Sequence, residues 1–519
     1  MRAPLLGLLR SASGAFLVLL VPPILIRELG PTTYGAWAIA VEVGTYLGLL
    51  DLGALSAIGQ FTARHRGEPH GMSRVITTLL TLQLALVAVG GALLALLVAA
   101  LPSIYPRLPL DLVPGARLTL VLVGGSSLIG LLATTWTGYL LSVGRLVVPS
   151  SLTIASRLMG IALVILLAVL GFGLRPLAIA WAGATLAGYL AVGWLFGRQR
   201  LPLRAARFDR SIAAELVAFA GAHAPWIAGG LLVVGFDTTI VARLDFAYVA
   251  PFAATAGLMS IMTAAYSTAL APLVPISAEL AGGGQRADLT RLLVRITRIG
   301  GAAVVLSGAV LALFARPLLV AWIGAPTATL AVPILQVLIA ATALRLIVMP
   351  YAVLVFGTGE YRFMRRAPLV EGVVNVVASI VLGVWFGPIG VAYGTVVGAV
   401  AGIGVYLLAN VPRTPSIDLH PLAYLRSGLA RPLFAALPVT IAVLGEGRWP
   451  GSWAWPVAAV SLTATTVACW HFTLTTTERT ALLSRLRRPD ATEPDPGSGF
   501  EPEPVPLAPA GGDRVLEPL

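Results

Sequence analysis

Long apolar runs separated by short polar breaks occupy this chain from its first residues to about residue 475. A helix needs ~20 apolar residues to cross ~30 Å of hydrocarbon. Fourteen stretches approach or exceed that length, at roughly 11–26, 34–60, 75–101, 117–141, 149–171, 176–197, 211–235, 247–275, 294–323, 328–350, 367–386, 388–411, 428–445 and 453–475. The thirteenth is the weakest, because Arg431 leaves only Pro432 to Gly445 free of charge. The pattern predicts an all-α integral membrane protein with about 14 transmembrane helices.

A second regularity lies over the first. Arg27, Leu29 and Tyr34 precede Arg243, Leu244 and Tyr248 by 216, 215 and 214 residues, and Gly144 precedes Gly359 by 215. Phe172 and Phe386 are 214 apart, Trp181 and Tyr393 212. A near-constant offset over so long a stretch implies duplication. The repeat holds six spans, an even number, so both copies enter the membrane in the same sense, related by an axis along the membrane normal. We therefore expect two six-helix pseudo-symmetric lobes, residues 1–200 and 201–412, two additional C-terminal transmembrane helices within 413–488, and a tail from 489 to 519. That tail has eight prolines and few bulky apolar side chains, so it is expected to be disordered.

Composition strengthens the membrane reading. Of 519 residues 57% are hydrophobic and 11% charged, against ~25% charged in an ordinary soluble domain, and the mean hydropathy is +0.89. The 55 glycines and 37 prolines are tolerated in membrane helices, where neighbouring helices satisfy the backbone. All 35 basic residues are arginine, so a Walker A loop, which needs a lysine, is excluded and the chain carries no ATPase of its own. The single Cys469 excludes an intrachain disulfide and a cysteine metal cluster. No H-E-x-x-H or G-x-S-x-G string occurs, and no cofactor or metal is expected.

The net charge of +12 is uneven: Pro489 to Leu519 holds seven acids against Arg514, or −6, which leaves +18 on the rest. Threaded from an interior N-terminus, the spans place 23 arginines in cytoplasmic segments and seven outside, the remaining five lying within spans. That skew is the positive-inside bias, so the basic balance points to the membrane, not to nucleic acid, and both termini are expected in the cytoplasm. The first span is expected to be retained: no A-x-A cleavage site follows it, and it has a partner in the second repeat.

An ionisable side chain in hydrocarbon costs at least ~2.5 kcal/mol on insertion scales, so each marks a functional candidate. Arg27 and Arg243 stand at equivalent places in the two repeats, near the outer surface, where snorkelling to headgroups is the competing explanation. Arg157 and Arg345 lie deeper, where snorkelling reaches less easily. Glu42 and Asp51 in the second span are candidates for ion coupling or charge balance, with Glu42 also placed to pair with Arg27 or Arg243. Glu371 and Asn375, four apart, share one helix face and could bond a neighbouring span. His471 ends the last span, and His223 is the one histidine expected to be buried. Guanidinium binds phosphate bidentately and stays charged, so a cavity lined by Arg27, Arg157, Arg243 and Arg345 favours a phosphate-bearing cargo.

The stretch "IRELGPTTYGAWAIAVEVGTYLGLLDLGALSAIGQFTARHRGE" resembles the opening of Wzx-type polysaccharide flippases, and "FGTGEYRFMRRAPLVEGVVNVVASIVLGVWFGPIGVAYGTVVG" looks like their second-half signature. The resemblance spans about residues 5–475. It implies membership of the MOP superfamily, beside lipid II flippases and multidrug exporters. It also implies translocation of an undecaprenyl-diphosphate-linked oligosaccharide from the inner to the outer leaflet of the bacterial inner membrane by alternating access, for surface polysaccharide synthesis. Membrane lipid and polysaccharide polymerase or export proteins are the partners it implies. Lipid II flippases carry arginines from their first, second and eighth helices; Arg27 and Arg243 match the first and last by position, Glu42 takes the place of a second-helix acid, and the second-helix arginine has no counterpart here. Two other functions fit the hydropathy, a cation-coupled multidrug exporter and a membrane polysaccharide polymerase or ligase. The enzyme needs a large external catalytic loop, whereas the longest exterior loops expected here run about fifteen residues.

Overall fold

The glycine register of the chain explains how its helices meet. In a computed structural model, which describes residues 2–51, 58, 61, 69–145, 147–199, 207–360, 366–446 and 453–487, all regular structure among the described residues is helical. The first half comprises α1 (Arg2–Leu29), α2 (Pro31–Tyr46, extended by a tight turn Leu47–Asp51), α3 (Pro69–Ile104), α4 (Val113–Ser142), α5 (Val147–Val169) and α6 (Leu174–Gly197). Then follow α7 (Arg210–Val234), α8 (Asp237–Leu244), α9 (Val249–Leu270), α10 (Leu273–Gly282), α11 (Arg286–Leu313), α12 (Ala315–Ile323), α13 (Ala325–Gly357), α14 (Arg366–Phe386) and α15 (Pro388–Val405). The last apolar pieces are α16 (Pro421–Tyr424), α17 (Ala430–Ala435), α18 (Leu437–Leu444) and α19 (Ala454–Ala468).

Thirteen of the fourteen apolar stretches fall on a helix or a pair of helices; of 34–60, α2 and its tight turn reach Asp51, and residues 52–57, 59 and 60 lie outside the described residues. Among the described residues ten helices are long and apolar enough to cross a membrane, eleven if the bent pair Pro421–Ala435 and Leu437–Leu444 is one span. Their outward faces carry large apolar side chains such as Leu96 (64% exposed), Leu190 (69%) and Trp385 (72%), the surface expected where lipid is the solvent.

Two boundaries differ from the sequence expectation. The run 294–323 breaks at Phe314 into α11 and α12, and the segment 236–246, expected as an exterior loop, contains α8, which with the end of α7 forms one apolar stretch, Ile227–Leu244. α8 holds Asp237, Arg243 and two threonines, so its local hydropathy is low although Val241 and Ala242 are fully buried.

Within Met1–Thr473, one of the two compact units of the chain, α4 packs on α2, α3 and α6, and α5 on α1 and α6; α14 packs on α7 and α15, and α13 on α9, α11 and α15. Helix α9 also packs against α1 and α2, and α12 against α1. One continuous apolar core runs through this arrangement, with Leu25, Trp37 and Val164 from the first half and Val241, Phe252, Leu335 and Val391 from the second. The other unit, Leu474–Leu519, contains α20 (Thr476–Arg487). The tail expected from 489 onward and the basic loop residues Arg64, Arg66, Arg200, Arg204, Arg362 and Arg365 lie outside the described residues.

Turn glycines recur at the repeat offset. Gly144 (φ 85°) and Gly359 (φ 78°) are 215 apart and both end a helix in the left-handed region; Gly171 (φ 78°) and Gly387 (φ 69°) are 216 apart. The closest helix pair, α14 with α15, follows from the run "GVAYGTVVGAVAG", which puts a glycine at every fourth position of α15. A Cβ on Gly398 would stand 2.7 Å from the Asn375 Cβ, and Gly394 backs onto Ser379 in the same way, so only glycine lets the two backbones approach this far.

Candidate functional site

That approach creates a buried polar cluster. Its centre is Asp237, 5% exposed, in the first turn of α8. Helix α7 ends at Val234 and α8 restarts at Asp237, so the span is discontinuous and exposes carbonyls at one broken end and N–H groups at the other. Asn375 Nδ2 donates to the Val233 carbonyl at 2.9 Å and lies 3.4 Å from Asp237 Oδ1. Ser379 Oγ donates to Asp237 Oδ1 at 3.3 Å, and Thr395 Oγ1 donates to Oδ2 at 2.9 Å. Both hydroxyls also lie 3.1 Å from the Val391 carbonyl oxygen. The helix N-terminus favours an acid at Asp237. Carboxylate, hydroxyl, amide and carbonyl oxygens converge here with one formal negative charge, a donor set that could hold a hard monovalent cation or a proton.

One turn away on α14, Glu371 is 9% exposed and its Oε1 accepts from Arg345 Nε of α13 at 2.5 Å. Arg345 Nη2 is buried with no hydrogen-bond partner. The acids at α2 and α8 are also near neighbours: Glu42 accepts from the Tyr46 hydroxyl and lies within hydrogen-bonding reach of Thr238. Half-buried Glu42 and Arg345 thus accompany the buried acids Asp237 and Glu371.

The other polar concentration lies in the first half. A cavity of about 340 Å³ is lined by residues of α2, α4, α5 and α6, among them Thr45, Thr134, Thr153, Thr185 and Arg157. Behind its wall, Thr134 Oγ1 donates to Asp51 Oδ1 at 2.8 Å, and Gln83 bridges Asp51 at 3.5 Å and Thr135 at 2.5 Å.

The four arginines singled out from sequence have four different surroundings. Arg345 belongs to the buried cluster and arrives paired with an acid. Arg157 lines the first-half cavity. Arg27, exposed at the end of α1, donates Nη2 to the carbonyls of Ala321 and, at 3.3 Å, Trp322, the last turn of α12; Trp322 Nε1 returns a bond to the Leu19 carbonyl at 2.8 Å. Arg243 is exposed on the last turn of α8. Glu42 bonds Tyr46 in place of the arginine partners considered for it, and Asp51 is held by Thr134 and Gln83. Asn375 does bond a neighbouring span. Sequence reading missed Asp237, Ser379 and Thr395. The signal was the spacing Glu371, Asn375, Ser379: polar residues at period four along one face of an otherwise apolar helix.

No family model matches the chain, and no curated protein matches it in sequence. Its all-helical, many-span membrane architecture is nonetheless shared with solved transporters. The structure is similar to a lipid II flippase, MurJ, in an inward closed conformation, with a TM-score of 0.67 at 12% identity over 94% of this chain and 99% of that one. It is also similar to an inward-facing multidrug resistance MATE family transporter of the MOP superfamily, with a TM-score of 0.65 at 18% identity over 78% of this chain and 97% of that one. The chain therefore shares the fold of these two solved transporters.

Proposed function

We propose that this protein is a flippase that carries an undecaprenyl-diphosphate-linked oligosaccharide from the inner to the outer leaflet of a bacterial cytoplasmic membrane, with fourteen crossings and both termini inside. The observation that carries the reading is extent: the likeness to a lipid II flippase includes 94% of the chain, while that to the MATE transporter includes 78%. Composition adds to it, since a chain whose every basic residue is arginine and whose first-half cavity carries a guanidinium suits a diphosphate and a glycan.

On this reading the two six-helix halves, marked by the recurring turn glycines, rock against each other about a cleft between them. Polar cargo enters the cleft while the polyprenyl tail stays in lipid. Arg27 and Arg243, at equivalent ends of the repeats, and Arg157 and Arg345, deeper in, supply positive charge to the diphosphate or acidic sugars. Asp237 with Ser379, Thr395 and Asn375 supplies the acid that an ion-coupled exchange needs, and Glu42, facing Thr238 across the halves, relays its state. The products of such transport feed a polysaccharide polymerase or export machinery.

One observation favours a second reading. A buried acid ringed by hydroxyls also suits a cation-coupled drug exporter, and the MATE likeness reaches a TM-score of 0.65. Proteoliposomes separate the two. A flippase exposes a fluorescent polyprenyl-diphosphate glycan to an external lectin and extrudes no cationic dye; an exporter does the reverse.

A further inference from the structure

We propose that Thr239 and Tyr105 are positioning residues that tie the buried polar cluster to the closure of the protein's outer face, with α8 as the rigid piece that carries the state of Asp237 to the first half of the chain. This coupling rests on the transport reading, which makes Asp237 the ion-binding acid, and it names the route by which that acid acts on the rest of the molecule.

Asp237 and its hydrogen-bond partners lie on one side of the boundary. Asn375, Ser379 and Thr395 stand on α14 and α15, and Asp237 on α8, all in the second half. A ligand shifts a conformational equilibrium only by binding one conformer better than the other, so binding here reaches the first half only through an element that touches both. The next two residues of α8 make that contact. Thr238 lies within hydrogen-bonding reach of Glu42 on α2, and the Thr239 hydroxyl is 3.0 Å from the hydroxyl of Tyr105, the residue that follows α3. Successive residues of a helix point about 100° apart, so three in a row are enough to face α14 and α15 on one side and the first half on the other.

Breaks on both sides let α8 move as one piece. It has eight residues, about 12 Å of helix. Before it, α7 ends at Val234 and the chain bends at Gly235 and Phe236. A Cβ at Gly235 would stand 2.6 Å from the Leu231 carbonyl oxygen and 3.1 Å from Cζ of Tyr46, so glycine lets that ring of α2 rest against the bend while its hydroxyl donates to Glu42. After it, Asp245 is extended (φ −158°, ψ 115°), and its carboxylate accepts from the Ala247 N–H at 3.1 Å to begin a separate tight turn. Residues at the ends of such elements are where hinge motions are absorbed.

Burial makes the contacts count. Asp237, Thr238 and Tyr105 are 5%, 3% and 4% exposed, and a buried hydroxyl left without its partner loses its full solvation. The links act in series: α14 and α15 hold Asp237, α8 transmits, and Thr239 holds Tyr105. Breaking either link frees the halves to part, and breaking the second adds little.

The test uses the full chain with Cys469→Ala and Val249→Cys. Val249 is fully buried at the start of α9, its side chain 3.3 Å from where a Cβ on Gly35 of α2 would stand, so a membrane-impermeant maleimide applied outside spheroplasts reaches a cysteine there only when the halves separate. Tyr105→Phe, Thr239→Val and Asp237→Asn are each expected to raise the labelling rate by roughly threefold to tenfold, the effect of one hydrogen bond on the open population. Asp237→Asn combined with Tyr105→Phe or with Thr239→Val is expected to label within about twofold of the faster single. Rates that multiply in the doubles, as merely structural contacts would give, overturn the coupling, and so does any single that labels at the parent's rate. Deleting the hydroxyl from either side of the boundary keeps the test usable if one variant fails to fold. Labelling needs no cargo: a chain that shows the coupling but flips no lipid-linked glycan loses only the transport reading, and one that flips with multiplying rates loses only the coupling.

Discussion

The Thr395 hydroxyl donates to Asp237 Oδ2 across 2.9 Å, tying α15 to the first turn of α8 and fixing an acid in the interior of the bundle. With Ser379 and Asn375 on the same carboxylate, Asp237 has partners for both oxygens. Asp237→Asn keeps the volume and removes the charge. The variant should fold, and its transport should lose dependence on Na⁺ or on a proton gradient, with the rate falling about tenfold for each ~1.4 kcal/mol of coupling lost. Rates in proteoliposomes with each ion gradient imposed in turn check this, and an unaltered ion dependence would exclude Asp237 from coupling.

The Arg345–Glu371 pair sits with side chains 23% and 11% exposed, so removing one partner strands the other. Arg345→Ala should destabilise the protein by ~3–5 kcal/mol, whereas replacing both with apolar residues of similar volume should be close to neutral. Thermal unfolding in detergent of the two singles and the double reads this directly, and additivity would contradict the pairing.

Helix packing gives a matched comparison. Gly398→Ala forces a Cβ to 2.7 Å from the Asn375 Cβ and should cost ~1–3 kcal/mol. Gly183, also helical, has nothing within 4 Å of where a Cβ would stand, so Gly183→Ala should be neutral or stabilising by ~0.5–1 kcal/mol. Equal melting temperatures for the two variants would mean that α14 and α15 are not held at glycine distance.

Arg27 joins α1 to the end of α12, and Trp322 joins α12 back to α1. On an alternating-access reading this pair of bonds favours the conformer in which these ends are together. Arg27→Ala should shift the population toward the opposite conformer by about threefold to tenfold, the effect of ~0.5–1.5 kcal/mol. Accessibility of a cysteine placed near Ala321 to a membrane-impermeant maleimide measures it, and a rate equal to that of the parent removes Arg27 from the gate.

The helices were legible because lipid imposes a length and an apolarity that few other structures satisfy, so even the weak run after Arg431 coincides with a helix pair. What escaped was the restart of the chain at Asp237. Eight residues carrying an aspartate, an arginine and two threonines average out as a loop on any hydropathy window, and only the partners on α14 and α15 make them interior. The arginines were legible as charges but not as neighbours: Arg345 is bonded through Nε to Glu371, and Arg27 is bonded to carbonyls from a helix about three hundred residues away, pairings that no spacing rule connects. Glu371 and Asn375 were visible as one face because their partners follow a single helix's period.

The most direct measurement is lectin access to a fluorescent undecaprenyl-diphosphate oligosaccharide in proteoliposomes that hold this protein alone. The expected result is full access, compared with half in protein-free vesicles, and a slower approach to it for Arg157→Gln. Access that stays at half, with the protein folded and extruding a cationic dye, would contradict the account.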